Sequence, residues 1–286
     1  VDEEQCDPEF LCRYLSTPAG REQLVRISPG SAGRNRVLAL KRLDEVQIPL
    51  PPLAEQRRIV ARIEALAAEI EEAARFRREA VEESEALLRS ILIHAEEVVN
   101  TPMRKLVTLR QPDVIVQSDE TYQFAGVYCF GRGVFKSVRK SGAEFSYPKL
   151  TSVRAGEFVY PKLMAWEGAL GVVPPECDGL VVSTEFPVFE VNRNLVLPEV
   201  LDVHFRNPTV WPALSGASTG TNVRRRRLNP GDFLAYDFPL PPREVQETLR
   251  SVMSQTAALK RLQSETAAEL DALLPAILDR AFKGEL

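Results

Sequence analysis

The sequence predicts an α+β protein: a β-rich mixed globular domain accompanied by two long helices that pair with each other. Three observations carry this expectation. One unusual phrase occurs twice, 190 residues apart; a heptad-spaced stretch follows each copy; and the residues between switch to the composition of short strands and turns.

The phrase reads IPLPPLAEQRRIV at 48–60 and FPLPPREVQETLR at 238–250. At an offset of 190, residues 8–60 align with 198–250 without a gap and agree at 15 of 53 positions, which marks an internal duplication. The agreements include Pro8/Pro198, Pro18/Pro208, Leu24/Leu214, Gly30/Gly220, Arg34/Arg224, the PLPP block and Gln56/Gln246. Further on, EALLRSIL at 85–92 answers DALLPAIL at 271–278 at an offset of 186, so the second copy is shorter by four residues. Four residues are close to one turn at ~3.6 residues per turn, and a helix that loses one turn keeps its face.

Pro49, Pro51 and Pro52 cannot extend a hydrogen-bonded ladder or sit inside a helix, but they suit a first helical turn. The prolines therefore end a strand and aim a helix. The first helix is expected over roughly Leu53 to Val98, with a seam at Ile59, Ile63, Leu66, Ile70, Ala73, Arg77, Ala80, Ser84, Leu87 and Ile91. The second is expected over roughly Arg243 to Phe282, with a seam at Leu249, Val252, Thr256, Leu259, Gln263, Thr266, Leu270, Leu273 and Ile277. Neither has another apolar face wide enough to bury, so each is expected to bury the other. Arg77, Ser84, Gln263 and Thr266 are expected to weaken the seam, and Pro275 to kink or end its helix.

Between the helices, YQFAGVYCF, GEFVYPKL and GLVVSTEFPVFEV are aromatic and β-branched runs punctuated by Gly and Pro. Four segments result: 1–48, matching the last third of the globular domain; 49–100, the first helix; 101–238, a whole globular domain; and 239–286, the second helix. The opening VDEEQCDPEF reads like the interior of a domain, so an N-terminal truncation is expected.

Composition bounds the function. No run approaches the ~20 apolar residues of a membrane helix, and a cytoplasmic protein without membrane contact is expected. Cys6, Cys12, Cys129 and Cys177 lack CxxC spacing and are expected to be reduced and structural, without a metal. His94 and His204 lie on unrelated elements, which disfavours a nucleophilic triad or a histidine metal cluster; both are expected to be structural. CFGRGVF at 129–135 has neither GxGxxG spacing nor a Walker lysine and reads as a turn between strands. No Asn/Asp-Pro-Pro-aromatic motif occurs, so no catalytic residue is assigned. The chain carries a net −4, but charge is unevenly placed: residues 103–231 hold 16 Lys/Arg against 12 Asp/Glu, whereas 53–100 hold 7 against 11. Positive charge sits on the globular domain, most densely at Arg224, Arg225, Arg226 and Arg227.

STGTNVRRRRL leading to FPLPPREVQ, SPGSAGRNRVL leading to IPLPPLAEQRRIV, and the ending LLPAILDRAFKGEL resemble the DNA-specificity (S) subunit of type I restriction-modification systems. The resemblance spans the chain, except that most of a first target recognition domain is absent. The first helix departs from the pattern by ending ILIHAEEVVN, and Ala32 and Asn222 replace a common Gln. The resemblance implies an antiparallel coiled coil carrying target recognition domains, a noncatalytic subunit that binds double-stranded DNA, and docking of methyltransferase (M) subunits, through them restriction (R) subunits. Self-association of the chain is a further expectation. Cofactors are expected in the partners alone: S-adenosylmethionine, ATP and Mg.

Under that resemblance the DNA-contacting candidates are Ser218, Thr219, Thr221 and Asn222 with Arg224 to Arg227, whose hydroxyls, amide and guanidiniums suit phosphates and base edges. Lys149, Arg154, Lys162 and Trp166 form a second group, in a segment that repeats YPKL. Helices of about 40 residues would span ~60 Å at 1.5 Å per residue, roughly 18 base pairs. Two other readings remain open: a coiled-coil scaffold without DNA readout, and a piece of a single-chain restriction-methylation enzyme.

Overall fold

A computed structural model describes residues 2–28, 37–38, 40–217 and 227–285. The chain opens with α1 (Pro8–Leu15), α2 (Pro18–Arg26) and the long α3 (Leu53–Ile93). Then come β1 (Val99–Pro102), α4 (Met103–Leu106), β2 (Val107–Leu109), β3 (Val114–Ile115), β4 (Thr121–Tyr128), β5 (Gly133–Ser141), β6 (Lys149–Ser152), β7 (Phe158–Val159), β8 (Gly171–Val172), β9 (Val181–Val182) and β10 (Val188–Val191). It closes with α5 (Pro198–Arg206), α6 (Trp211–Ala217), α7 (Pro230–Ala235), β11 (Asp237–Leu240), α8 (Arg243–Glu265) and α9 (Ala267–Phe282). Two compact units result, one of residues 1–82 with 258–286 and one of residues 83–257.

In the first unit, capping side chains start both short helices. The Asp7 carboxylate accepts from the Glu9 and Phe10 N–H groups, the Thr17 hydroxyl accepts from Gly20 N–H, and Pro8 and Pro18 follow the caps. Phe10 then packs with Ile59, Val60 and Ile63 of α3 and with Leu274, Ile277, Leu278, Ala281 and Phe282 of α9. The start of α3 thus meets the end of α9. Deeper along α3, the Arg77 guanidinium donates to the Gln263 carbonyl (2.6 Å) and to the Thr266 hydroxyl, while the Gln263 side-chain amide donates to the Arg77 carbonyl (3.1 Å). Residue numbers fall along one helix as they rise along the other, which is antiparallel pairing.

Of the polar residues expected to weaken the seam, Arg77, Gln263 and Thr266 hydrogen-bond with one another across it. The helix interruption also lies elsewhere. It falls at Thr266, between α8 and α9, whereas α9 runs through Pro275. The Thr266 hydroxyl turns back onto the Leu262 carbonyl (2.9 Å), and Arg77 supplies the donors that the interrupted ladder lacks. Pro275 removes a single ladder bond while its neighbours Leu274, Ile277 and Leu278 remain packed, and packing decides.

In the second unit, β2-β10-β7-β8 form a four-stranded antiparallel sheet. A five-stranded sheet runs β3-β6-β9-β4-β5, and β1 pairs with β11 as a separate ribbon. The main core gathers Phe158, Tyr160, Phe189, Phe205, Phe233 and Phe238. Phe158 and Phe233 stack at 5.3 Å. Leu88 of α3 and Leu249 of α8 belong to this core, with Ile91, Leu92, Val252 and Met253 packed against it. Here the end of α3 meets the start of α8.

Two seam positions need correction. Leu87 is 51% exposed and Leu88 is 7% exposed; Leu273 is 45% exposed, while Leu274 and Leu278 carry the packing. A strict seven-residue count drifts by ~20° per heptad against a 3.6-residue helix, so a seam extended by counting arrives one residue early. Ile59, Ile63 and Leu249 are buried, and Leu66, Ile70, Ile91, Val252, Leu259, Leu270 and Ile277 are half-buried.

The repeated phrase has a structural reason. Gln56, fully buried at the start of α3, accepts from Asp7 N–H (2.8 Å) and donates to the carbonyls of Gln5 (2.9 Å) and Pro51 (2.7 Å). Gln246, buried at the start of α8, accepts from Leu197 N–H (2.9 Å) and donates to the carbonyls of Leu195 (3.1 Å) and Pro241 (3.0 Å). Every partner is displaced by 190 residues. The short turn at Leu40–Glu45 likewise corresponds to α7 at Pro230–Ala235. The same joint is therefore built twice: a helix starts after each proline block, and the glutamine ties it to the segment that precedes α1 or α5; the expected strand before the prolines occurs only in the second copy, as β11, and Pro239 lies within it.

Candidate nucleic-acid interface

Seven of the predicted DNA contacts, Ser218, Thr219, Thr221, Asn222, Arg224, Arg225 and Arg226, lie outside the described residues. Arg227 lies within them, at the foot of that segment, and pairs with the Glu185 carboxylate. Glu185 also faces Lys162 (3.7 Å), whose ammonium donates to the Thr184 carbonyl (2.9 Å). Next to Arg227, the buried Leu228 donates its N–H to the Lys162 carbonyl (2.9 Å). Arg227 thus lies beside the YPKL segment at 160–163, joining two groups that the sequence kept apart. Glu185 offsets part of the charge of both cations. Trp166, in the short helical turn Ala165–Glu167, is half-buried, and its indole N–H is buried without a hydrogen-bond partner among the described residues.

Lys149 and Arg154 are not brought into this group. Lys149 is exposed on β6. Arg154 lines a separate cleft of about 560 Å³ with Gly156, Asn192, Arg193 and Asn194. The loop carrying Arg154 is shaped from below, because Glu157 accepts from Arg154 N–H (2.9 Å) and is itself held by the Arg110 guanidinium (3.0 Å). Arg110 also donates to Asp113 (2.6 Å). Burial opposes ionisation of Asp113, but bonds from Ser152, with Arg110 nearby, hold its carboxyl below the ordinary value.

The sequence reading missed a third basic element. β4 and β5 form a hairpin in which β5 is the sheet edge, and Arg132, Lys136, Arg139 and Lys140 are exposed on it. Lys136 and Arg139, three residues apart, would face opposite sides of a regular strand. A bulge changes that: Ala125 pairs with Lys136 and Gln123 with Arg139, so both cations share one face. The Gln123 amide holds the bulge by donating to the Ser137 and Val138 carbonyls (2.5 and 3.2 Å). Its signal in the sequence is RGVFKSVRK, four cations and no acid in nine residues.

His204 sits inside the fold. Its Nε2 lies 2.9 Å from the Tyr236 hydroxyl, its ring contacts Phe205 and Phe238, and burial pushes its pKa down to about 4. Burial likewise raises the Cys129 and Cys177 thiols, Glu167 adding to the effect at Cys129. No group of three or more potential metal ligands occurs among the described residues, and no helix there is long and apolar enough to cross a membrane.

The described residues thus present several separate basic surfaces on the globular lobe, with a buried glutamine at the start of α8. Residues 2–77 match the model of the type I restriction modification DNA specificity domain. The crystal structure of the HsdS subunit from Thermoanaerobacter tengcongensis is 25% identical, with a TM-score of 0.56 over 100% of this chain and 72% of that one. A second structure, described as the basis of complex assembly and conformational transition of the type I R-M system, is 25% identical, with a TM-score of 0.62 over 100% of this chain and 73% of that one. No curated protein matches the sequence. The match over residues 2–77 and the likeness of the whole chain to these two structures support a role in DNA sequence specificity.

Proposed function

We propose that this chain reads one half of a bipartite DNA target through the lobe of residues 101–238 and docks methyltransferase subunits along its paired helices. The duplicated joint carries the reading. Gln56 and Gln246 attach a lobe segment to a helix in the same way twice, as a protein built to hold two readers requires. Base contacts would come from the 218–227 segment with Lys162 and Trp166, with Lys149 and Arg154 on neighbouring surfaces. The helices would set the spacing between half-sites, at roughly 18 base pairs for ~60 Å. The chain itself is noncatalytic in this reading; S-adenosylmethionine, ATP and Mg act in partner subunits, and restriction subunits join through the methyltransferase.

Methylome sequencing of cells expressing the chain with its neighbouring methyltransferase tests this. A defined methylated motif that depends on the chain is expected. A methylation pattern unchanged by deleting the chain, with no retention of random duplex in low-salt filter binding, would instead favour a scaffold without DNA readout.

A further inference from the structure

The turn between β4 and β5 presents Phe130 in a way that packing does not explain. The residue is 67% exposed, and its φ is +62°, an outlier for a bulky side chain that the surrounding structure must impose. The constraint is visible. Phe130 N–H donates to the Glu167 carbonyl (2.8 Å) and Gly131 N–H to the Gly168 carbonyl (3.0 Å). Gly131, at φ +66°, lies so close to Arg206 that a Cβ would stand 2.7 Å from the Arg206 carbonyl oxygen. The turn is thus clamped on two sides, and the phenyl ring is held outward, 6.4 Å from the Trp211 ring.

Around it cations gather, with the Glu167 carboxylate against Cys129. Arg132 covers the Tyr128 ring at 4.5 Å, and Tyr128 stacks on Phe135 at 3.8 Å. Behind the turn, the bulge turns Lys136 and Arg139 to one face, with Lys140 beside them; none of these three has an ion-pair partner among the described residues. Edge strands commonly carry lysines to block pairing, but that purpose requires neither a strained exposed aromatic at the tip nor a bulge that aligns two cations. An apolar ring flanked by unpaired cations fits a polyanion with an apolar interior. Duplex DNA has that chemistry: phosphates outside and stacked base faces between steps.

We propose that the β4–β5 hairpin is a DNA-contacting element in which Phe130 wedges into a base step while Arg132, Lys136 and Arg139 engage the phosphates beside it. A wedge of this kind unstacks the step and bends the duplex, which lets sequence be read through deformability. The inference rests on the DNA-specificity reading above and adds a mode of recognition to it.

The test uses the full chain and a random 30-base-pair duplex pool, from which sequences retained by the wild-type protein are selected. The selected duplex then carries donor and acceptor dyes at its two ends. Wild-type protein should shorten the end-to-end distance. Phe130→Ala and Phe130→Gly should bind about tenfold more weakly and leave the duplex straight, and thermal stability should be kept or raised in Phe130→Gly, where the strain at φ +62° is eased. Replacing Arg132, Lys136 and Arg139 together by Ala should flatten the salt dependence of binding by about 2–3 in log–log slope. Bending by Phe130→Ala equal to wild type would overturn the wedge while leaving the DNA-specificity reading intact. So would loss of methyltransferase binding in place of bending, which would make Phe130 a protein contact. Failure of the wild-type chain to retain any duplex would overturn both.

Discussion

Replacing Gln246 by Ala isolates the joint. The change removes one acceptor and two donors from a buried site and leaves Leu197 N–H and the Leu195 and Pro241 carbonyls without partners. An unsatisfied buried group costs about 1–3 kcal/mol, so three sharing one small void that can admit water should cost about 3–5 kcal/mol. The two tryptophans make the assay selective. Trp166 and Trp211 both lie in the unit of residues 83–257, so intrinsic fluorescence reports that unit, whereas far-ultraviolet circular dichroism follows the helices of both. In urea, Gln246→Ala should shift the fluorescence transition to lower denaturant by the equivalent of this loss. The corresponding change at Gln56 should leave that transition in place and move the dichroism signal instead. A loss below about 1 kcal/mol for Gln246→Ala would refute the view that this side chain ties the helix to the lobe.

The crossing at Arg77 gives a second expectation. Arg77→Ala removes charge-assisted bonds at a half-exposed site and should cost about 1.5 kcal/mol, with coupling to Gln263→Ala near 1 kcal/mol in a double-mutant cycle; additivity would refute the interaction. Leu88→Ala should cost about 2–4 kcal/mol and Leu87→Ala under about 0.5, and urea midpoints that rank them in the opposite order would restore the heptad count. His204 is held neutral with its pKa near 4, below the ordinary ~6.5, so the unfolded chain binds the extra proton first as pH falls. The stability it contributes is present above pH ~6.5 and declines towards pH 4, by about 2 kcal/mol at pH 5. In His204→Gln the thermal midpoint should fall less steeply over pH 7 to 5; an unchanged slope would place the titration elsewhere.

The sequence disclosed what rests on spacing. The duplication, the helix start after each proline block and the change of composition between the helices follow from local chemistry that one chain displays. It could not disclose whether Arg77, Gln263 and Thr266 satisfy one another, because their partners come from a helix about 186 residues away. It placed the seam at Leu87 and Leu273 because a heptad count ignores the drift of a 3.6-residue helix. The basic surfaces were legible as composition but not as geometry. That Arg227 and Lys162 converge on Glu185, and that a bulge aligns Lys136 with Arg139, depends on strand register, which short strands with irregular turns do not announce.

All six bonds made by Gln56 and Gln246 end on main-chain atoms. A fastening of that kind is indifferent to the side chains of whatever it fastens. Only the path of the backbone past residues 5–7 or 195–197 is specified, so a reader of unrelated sequence that follows the same path can be exchanged at these boundaries without redesigning the support. Mutational drift in the lobe surface is thereby uncoupled from the integrity of the joint, and side chains there can change while the helix starts stay fixed.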